Sequence, residues 1–213
     1  MSFLDSLIAW DRAATLAINA INCPASDSFW TVMSMIEIWY PMYAVIAALL
    51  IWRLGWKKGL LAILFVALAI FFSERLNNLI KYMVERVRPC NDEGMIAAGI
   101  HILENGGGWS FPSGHSNNCF TFALSTILCF QAEILGIGKP QTGHSLRKRR
   151  ISRGVKTWYA VYAVFITLWA SLVAISRIMV ARHFLLDIIA GSIIGIALGL
   201  LTGKLFLLCC RKF

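Results

Sequence analysis

Three short stretches hold nearly every side chain in this sequence that could do chemistry. Lys81-Tyr-Met-Val-Glu-Arg-Val-Arg88-Pro89 follows an apolar run, and Phe111-Pro112-Ser113-Gly114-His115 precedes another. Ser176-Arg177-x5-His183-x3-Asp187 joins the last two runs. Asp187 lies four residues after His183, one helical turn on and on the same face. A carboxylate there accepts an imidazole N–H, selects the tautomer and leaves the other ring nitrogen free as a nucleophile. Lys81, Arg88 and Arg177 offer charge and forked donors that match phosphoryl oxygens. Backbone N–H groups at Ser113 and Gly114, just ahead of a helix, form an anion-binding end, and Gly114 allows close approach. His115 is then placed to protonate a leaving alkoxide. Such a set of cations neutralises the equatorial oxygens of a transferring phosphoryl group, so the expected chemistry needs no metal and no other cofactor. The rival reading of His115, His183 and Asp187 as zinc ligands lacks a familiar spacing such as H-E-x-x-H.

The elements that must bring these stretches together are apolar helices. Of the 213 residues 58% are hydrophobic, and the mean hydropathy is +0.69. A soluble domain of this length keeps far more polar surface, so one membrane-embedded domain over 1–213 is expected. Apolar runs cover roughly 28–52, 59–80, 117–135, 157–180 and 185–208, each near the ~20 residues that cross a bilayer. Residues 3–21 place Leu4, Leu7, Ile8, Ala14, Ile18 and Ile21 at helical spacing, with Asp5, Arg12 and Asn19 on the other side. That pattern predicts an amphipathic helix lying in the interface, so 1–27 is an interfacial segment and 28–213 the bundle. The fold class is all-α, a bundle of about five to six spans. Gly191, Gly195 and Gly199 repeat every fourth position in the last run and predict a close helix-packing face.

Charge sets the orientation. The chain carries +9 with only 15% charged residues. Arg53, Lys57 and Lys58, then Lys139, Arg147, Lys148, Arg149, Arg150, Arg153 and Lys156, then Arg211 and Lys212 fall in three basic regions. Five spans put all three on one side, which the positive-inside rule assigns to the cytoplasm. The connections 81–116 and 177–184 then share the opposite face. Cations and imidazoles gathered at membrane depth are costly and imply an ionic ligand. The expected place is the cytoplasmic membrane, with the reactive residues at its periplasmic or extracellular side. Nucleic acid is a poor partner, because the basic residues sit beside spanning helices. The N-terminus, with Asp5, Asp11 and Arg12, lacks the basic leader and clean apolar run of a secretory signal.

Blander readings apply to several residues. Lys81, Arg86 and Arg88 could be interfacial snorkelling side chains, and His101 and His144 receive no role. Glu37 reads either as a helix–helix hydrogen-bonding residue or as a substrate contact. Cys23, Cys90, Cys119, Cys129, Cys209 and Cys210 form no metal-ligand spacing. Only Cys23 and Cys90 could meet in an oxidising compartment, and no disulfide is assigned to them.

Together the three stretches resemble the tripartite signature of the type 2 phosphatidic acid phosphatase and vanadium haloperoxidase superfamily. Lys81-x6-Arg88-Pro89, Pro112-Ser113-Gly114-His115 and Ser176-Arg177-x5-His183-x3-Asp187 are complete, in order and at helix ends. The resemblance implies a phosphohistidine on His183, with Asp187 as its partner and His115 as the acid. It implies a phosphate pocket of Lys81, Arg88, Ser113, Gly114 and Arg177. Many members have glycine two residues before the nucleophile and proline two after it, where this chain has Ala181 and Leu185. Arg182 adds a further cation. The amphipathic start also looks like that of the small bacterial members.

The expected partner is a phosphorylated lipid whose tails lie between helices, with surrounding membrane lipid and no assigned oligomer. Undecaprenyl diphosphate, phosphatidylglycerophosphate, lipid A phosphate and phosphatidate all fit, with a slight lean to a cell-envelope carrier or lipid A. A lipid-to-lipid phosphotransferase and a non-catalytic lipid-binding protein are the rivals. Intact His115, His183 and Asp187 argue against the second, since a binder needs no paired acid and nucleophile. Residues 90–111, with Asn91, Asp92, Glu93, His101 and Glu104, carry no readable head-group code.

Overall fold

The computed structural model describes residues 2–136 and 153–211. Helix α1 (Phe3–Asn19) opens on a capping box in which Ser2 and Asp5 exchange hydrogen bonds with each other's backbone. It is followed by α2 (Pro24–Ser34), a 3-10 turn (Glu37–Trp39), α3 (Tyr40–Leu54) and α4 (Trp56–Val84). A second 3-10 turn (Pro89–Asn91) leads to the short α5 (Glu93–Ala97). The long helices α6 (Gly114–Ile134), α7 (Arg153–Met179) and α8 (Leu185–Arg211) complete the bundle. Lys139, Arg147, Lys148, Arg149, Arg150 and Lys212, used above to orient the chain, lie outside the described residues, as does His144.

Four stretches among the described residues are long and apolar enough to cross a membrane: Glu37–Leu54, the one opening at Trp56 that contains α4, Arg153–Met179 and Leu185–Arg211. The expected span at 117–135 is α6. Its 21 residues make it roughly 31 Å long, but Ser116, Asn117, Thr121, Ser125 and Thr126 are buried along it. It can carry them because α3, α4, α7 and α8 pack around it. Apolar side chains instead cover the outside, Leu60, Leu64, Val164, Leu168 and Ile193 among them, as a lipid-facing surface requires.

The last helix packs against α6 through its glycines. A Cβ at Gly191 would stand 2.5 Å from the Ser113 carbonyl oxygen, and one at Gly195 would stand 2.3 Å from that of Asn117. Gly199 and Gly203 meet Leu124 and Leu128 in the same way, so the predicted stripe extends one turn further. Towards the far end Trp158 and Tyr162 stack, Phe130 meets both rings edge-on, and the Tyr162 hydroxyl donates to Thr126 Oγ1 at 2.7 Å. At that end Arg53 pairs with Glu133 at 2.9 Å and lies over the Trp158 ring.

One expectation needs correction. The run 28–52 is not one helix: Met35 is extended between α2 and the 3-10 turn. Pro41 has no N–H for the Glu37 carbonyl and would clash with it in a continuous helix, so the chain restarts with proline in the first turn of α3. Helix α1 is amphipathic as expected, and its polar stripe faces the protein. Asp11, Thr15 and Asn19 are buried, whereas Phe3 is 85% and Leu4 61% exposed. The stripe has ligands inside: Asn19 Nδ2 donates to the carbonyls of His101, Ile178 and Met179, closing the end of α7.

Candidate active site

Three helix ends converge beside α1. Helix α4 stops where Glu85 adopts a left-handed conformation (φ 50°), which leaves Lys81 in its last turn. Arg88 follows in extended backbone, as a residue before proline should. Ser113 caps α6, its Oγ accepting from the Ser116 N–H, which puts Gly114 and His115 in the first turn. At the end of α7 the Arg177 carbonyl accepts from the N–H groups of Arg182 and His183, at 2.9 and 3.1 Å, folding the turn that carries His183.

His183 and Asp187 face each other. His183 Nδ1 lies 3.5 Å from Asp187 Oδ2, and the Ser110 hydroxyl lies 3.5 Å from the same nitrogen. Asp187 Oδ2 also accepts from Ser110 Oγ and, at 2.8 Å, from the Phe184 N–H. Its Oδ1 accepts from Arg86 Nη1 at 2.7 Å. On the other side of the ring, His183 Nε2 is 3.4 Å from Arg88 Nη1. His183 sits in the turn between α7 and α8 and is 2% exposed. Burial holds its pKa down to about 4, with Asp187 opposing and Arg177 and Arg88 adding to the depression. The ring is therefore neutral at ordinary pH, with a lone pair on one nitrogen.

The cations surround that nitrogen. Arg88 is held by the carbonyls of Gly108 (3.2 Å) and Arg182 (3.3 Å). Arg177 Nη1 donates to Ser34 Oγ and, at 3.2 Å, to Glu104 Oε2. Glu104 reaches Arg182 at 3.6 Å with its other oxygen. A cavity of about 700 Å³ opens here, bordered at one end by Lys81, Arg88, His115, Arg177, Arg182 and His183. Ile46, Leu50, Ile63, Val66 and Phe122 wall the rest, as far as Thr126. From His115 to Thr126 is roughly 16 Å along α6. One space thus joins an anion-seeking head to an apolar slot between helices.

Seven of the eight residues singled out above border or face this cavity: Lys81, Arg88, Gly114, His115, Arg177 and His183 directly, Asp187 through His183. Ser113 does not. It is fully buried, and its N–H, expected to face an anion, donates to the Asp187 carbonyl at 3.0 Å. It joins α6 to α8, leaving the amide end to Gly114. Glu37 is exposed on its 3-10 turn and away from the cavity wall. All six cysteines are free, Cys23 exposed and Cys90 buried.

The departures from the family pattern have local reasons. Ala181 takes φ 62°, the left-handed region in which glycine carries no penalty. Leu185 supplies an N–H that proline lacks, and it donates to Thr15 Oγ1 on α1 at 3.0 Å. Sequence reasoning missed Asp11, Ser110 and Glu104, and dismissed Arg86. Buried hydroxyls and carboxylates scattered over distant segments carry no spacing signal. The one legible hint was Asp11, Thr15 and Asn19 at i, i+4 and i+8, a polar stripe on an otherwise apolar helix.

Apolar helices enclosing two histidines, a buried carboxylate and four cations define a membrane protein built to handle a phosphoryl group. The PAP2 superfamily pattern matches residues 58–208, and the chain belongs to that superfamily. It is 32% identical over 188 residues to a lipid A 4'-phosphatase of Bacteroides thetaiotaomicron, covering 87% of this chain and 72% of that one. A lipid A 4'-phosphatase of Porphyromonas gingivalis is 24% identical over 208 residues, 96% of this chain and 76% of that one. The fold is shared with the PAP2 type phosphatidylglycerolphosphate phosphatase of Bacillus subtilis, at TM-score 0.67 and 22% identity over 94% of this chain and 86% of the other. It is shared also with Aquifex aeolicus LpxE, at TM-score 0.57 and 22% identity over 90% and 93%. The chain is an integral membrane lipid phosphatase, a hydrolase of lipid phosphate esters.

Proposed function

We propose that the protein removes a phosphomonoester from a lipid A-type glycolipid through a phosphohistidine on His183. The observation that carries this reading is one continuous cavity, cationic at the His183 end and apolar along its length. Tails lie in the slot, and the phosphoryl group rests among Lys81, Arg88, Arg177 and the Gly114 amide. His183 Nε2 attacks phosphorus while Nδ1–H is held by Asp187. The bond from phosphorus to the lipid oxygen breaks, and His115 gives its proton to that oxygen. The negative phosphoryl group beside His115 favours the protonated ring this step needs. Water then attacks phosphorus, His115 takes its proton, the N–P bond breaks and phosphate leaves. The cations supply the charge stabilisation for which other phosphatases use a metal.

The lipid A assignment draws on the named relatives, and a phosphotransferase would differ only in replacing water by an acceptor lipid. We place the whole chain as one domain in the cytoplasmic membrane with the cavity end outward. Arg53, Lys57, Lys58, Arg153, Lys156 and Arg211 at the opposite end support that orientation. The test is phosphate release from lipid A, phosphatidate, phosphatidylglycerophosphate and undecaprenyl diphosphate with EDTA present throughout. Wild type is expected to release phosphate, fastest from lipid A and suppressed by vanadate, while His183→Ala releases none. A fully active His183→Ala protein, or loss of activity with chelator, would overturn the mechanism. Preference for another lipid would overturn the substrate.

A further inference from the structure

We infer that Arg86 and Asp11 are positioning residues for the histidine–carboxylate pair, which makes α1 part of the catalytic apparatus as well as a membrane-facing helix. The inference rests on the reading of His183 as nucleophile.

Asp187 is fully buried, and a carboxylate there needs a countercharge and donors for both oxygens. Oδ2 has Ser110, Phe184 N–H and His183, while Oδ1 has Arg86 Nη1 at 2.7 Å. The guanidinium is itself fixed on two further sides. Its carbon lies 3.8 Å from the centre of the Phe184 ring, and Nη2 donates to Asp11 Oδ2 at 2.5 Å. Asp11, also fully buried, uses its other oxygen to accept the Leu186 N–H at 2.8 Å, at the start of the helix that carries Asp187. Asp11 thus holds both the arginine that orients the carboxylate and the backbone beside it.

The charge count gives this a chemical consequence. One guanidinium is shared by two carboxylates, so Asp187 keeps negative charge for the His183 Nδ1–H as Nε2 bonds to phosphorus and the ring becomes cationic. Without Asp11, Arg86 would spend its whole charge on Asp187. Arg86 and Asp11 border a separate pocket of about 460 Å³ beside α1 and not the cavity that reaches His183, so a lipid held in the His183 cavity does not touch them and the effect falls on the chemical step.

The experiment measures kcat and KM for lipid A in detergent micelles, repeated with phosphatidate. Asp11→Asn and Arg86→Lys are each expected to lower kcat roughly ten- to hundredfold, the range typical of residues that orient a reacting group, with KM within about twofold of wild type. Asp11→Glu should recover part of the loss. Thr15→Val, one turn along the same face, should lower the unfolding temperature and leave kcat unchanged. Wild-type kcat in folded Asp11→Asn, or an equal loss in Thr15→Val, would overturn the inference. If Asp11→Asn fails to fold, Arg86→Lys decides by the same split between kcat and KM. Turnover by His183→Ala in parallel would instead sink the nucleophile reading.

Discussion

Gly191 on α8 lies against the backbone of Ser113, with its α-carbon so placed that a Cβ would stand 2.5 Å from the Ser113 carbonyl oxygen. Ser113 in turn donates its N–H to the Asp187 carbonyl at 3.0 Å. Ser113 immediately precedes Gly114 and His115, and Asp187 lies one turn before Gly191. This contact therefore sets the distance between the expected acid on α6 and the expected nucleophile pair at the start of α8.

Gly191→Ala should accordingly weaken both stability and turnover. The neighbour is a carbonyl in a capped turn and not the end of a flexible side chain, so the helices must separate. Overpacking of this kind costs about 1–3 kcal/mol. Thermal unfolding in detergent would show a lowered midpoint, with kcat reduced in the same protein. An unchanged midpoint would mean that α8 shifts freely against α6.

The Leu185 N–H has one partner to lose. Leu185 is the first residue of α8, where proline is sterically acceptable, so Leu185→Pro should keep the helix while deleting the bond to Thr15 Oγ1 and the packing of Leu185 on Ala174, Ile178 and Ile188. The bond's share of the destabilisation is about 1 kcal/mol, the net worth of such a bond. Thr15→Val should lose about that amount, and the double variant little more than Leu185→Pro alone, because both changes remove the same bond. Chemical denaturation of the single and double variants tests this, and additive losses would refute it.

His183 predicts an acid-labile fold. Its folded pKa of about 4 lies below the usual 6.5 because burial disfavours the charged ring. Below 6.5 the unfolded chain takes up a proton that the folded protein refuses, so stability falls as pH drops towards 4 and is constant beneath it. Between pH 7 and pH 5 the loss should be about 2 kcal/mol. His183→Gln should lack that part of the pH dependence. Parallel pH–stability curves for the two proteins would show that the ring is not held neutral.

The residues of the candidate site were legible because their spacing is local. Lys81 and Arg88 at one helix end, Gly114 and His115 at the next, and Arg177, His183 and Asp187 across one turn keep their spacing whatever the rest of the chain does. Hydropathy likewise marked the helices, since a bilayer demands long apolar runs, and every fourth glycine marked the α8 face. Pro41 was in plain view and still hid the break before α3, because the apolar run continues through it.

Which side chain meets which across segments was settled only by the tertiary structure. Arg86 looked like an interfacial cation until Asp11, 75 residues earlier, and Asp187, 101 residues later, were found on its two arms. Glu104 had no pattern to betray it, yet it holds Arg177 and approaches Arg182. Helix α1 was amphipathic by sequence, but periodicity gives only the angle between its faces and not what each face meets. Asp11, Thr15 and Asn19 turn inward because the ends of α7 and α8 leave carbonyls and N–H groups that need partners, and no rule of spacing can announce an unpaired group on another helix.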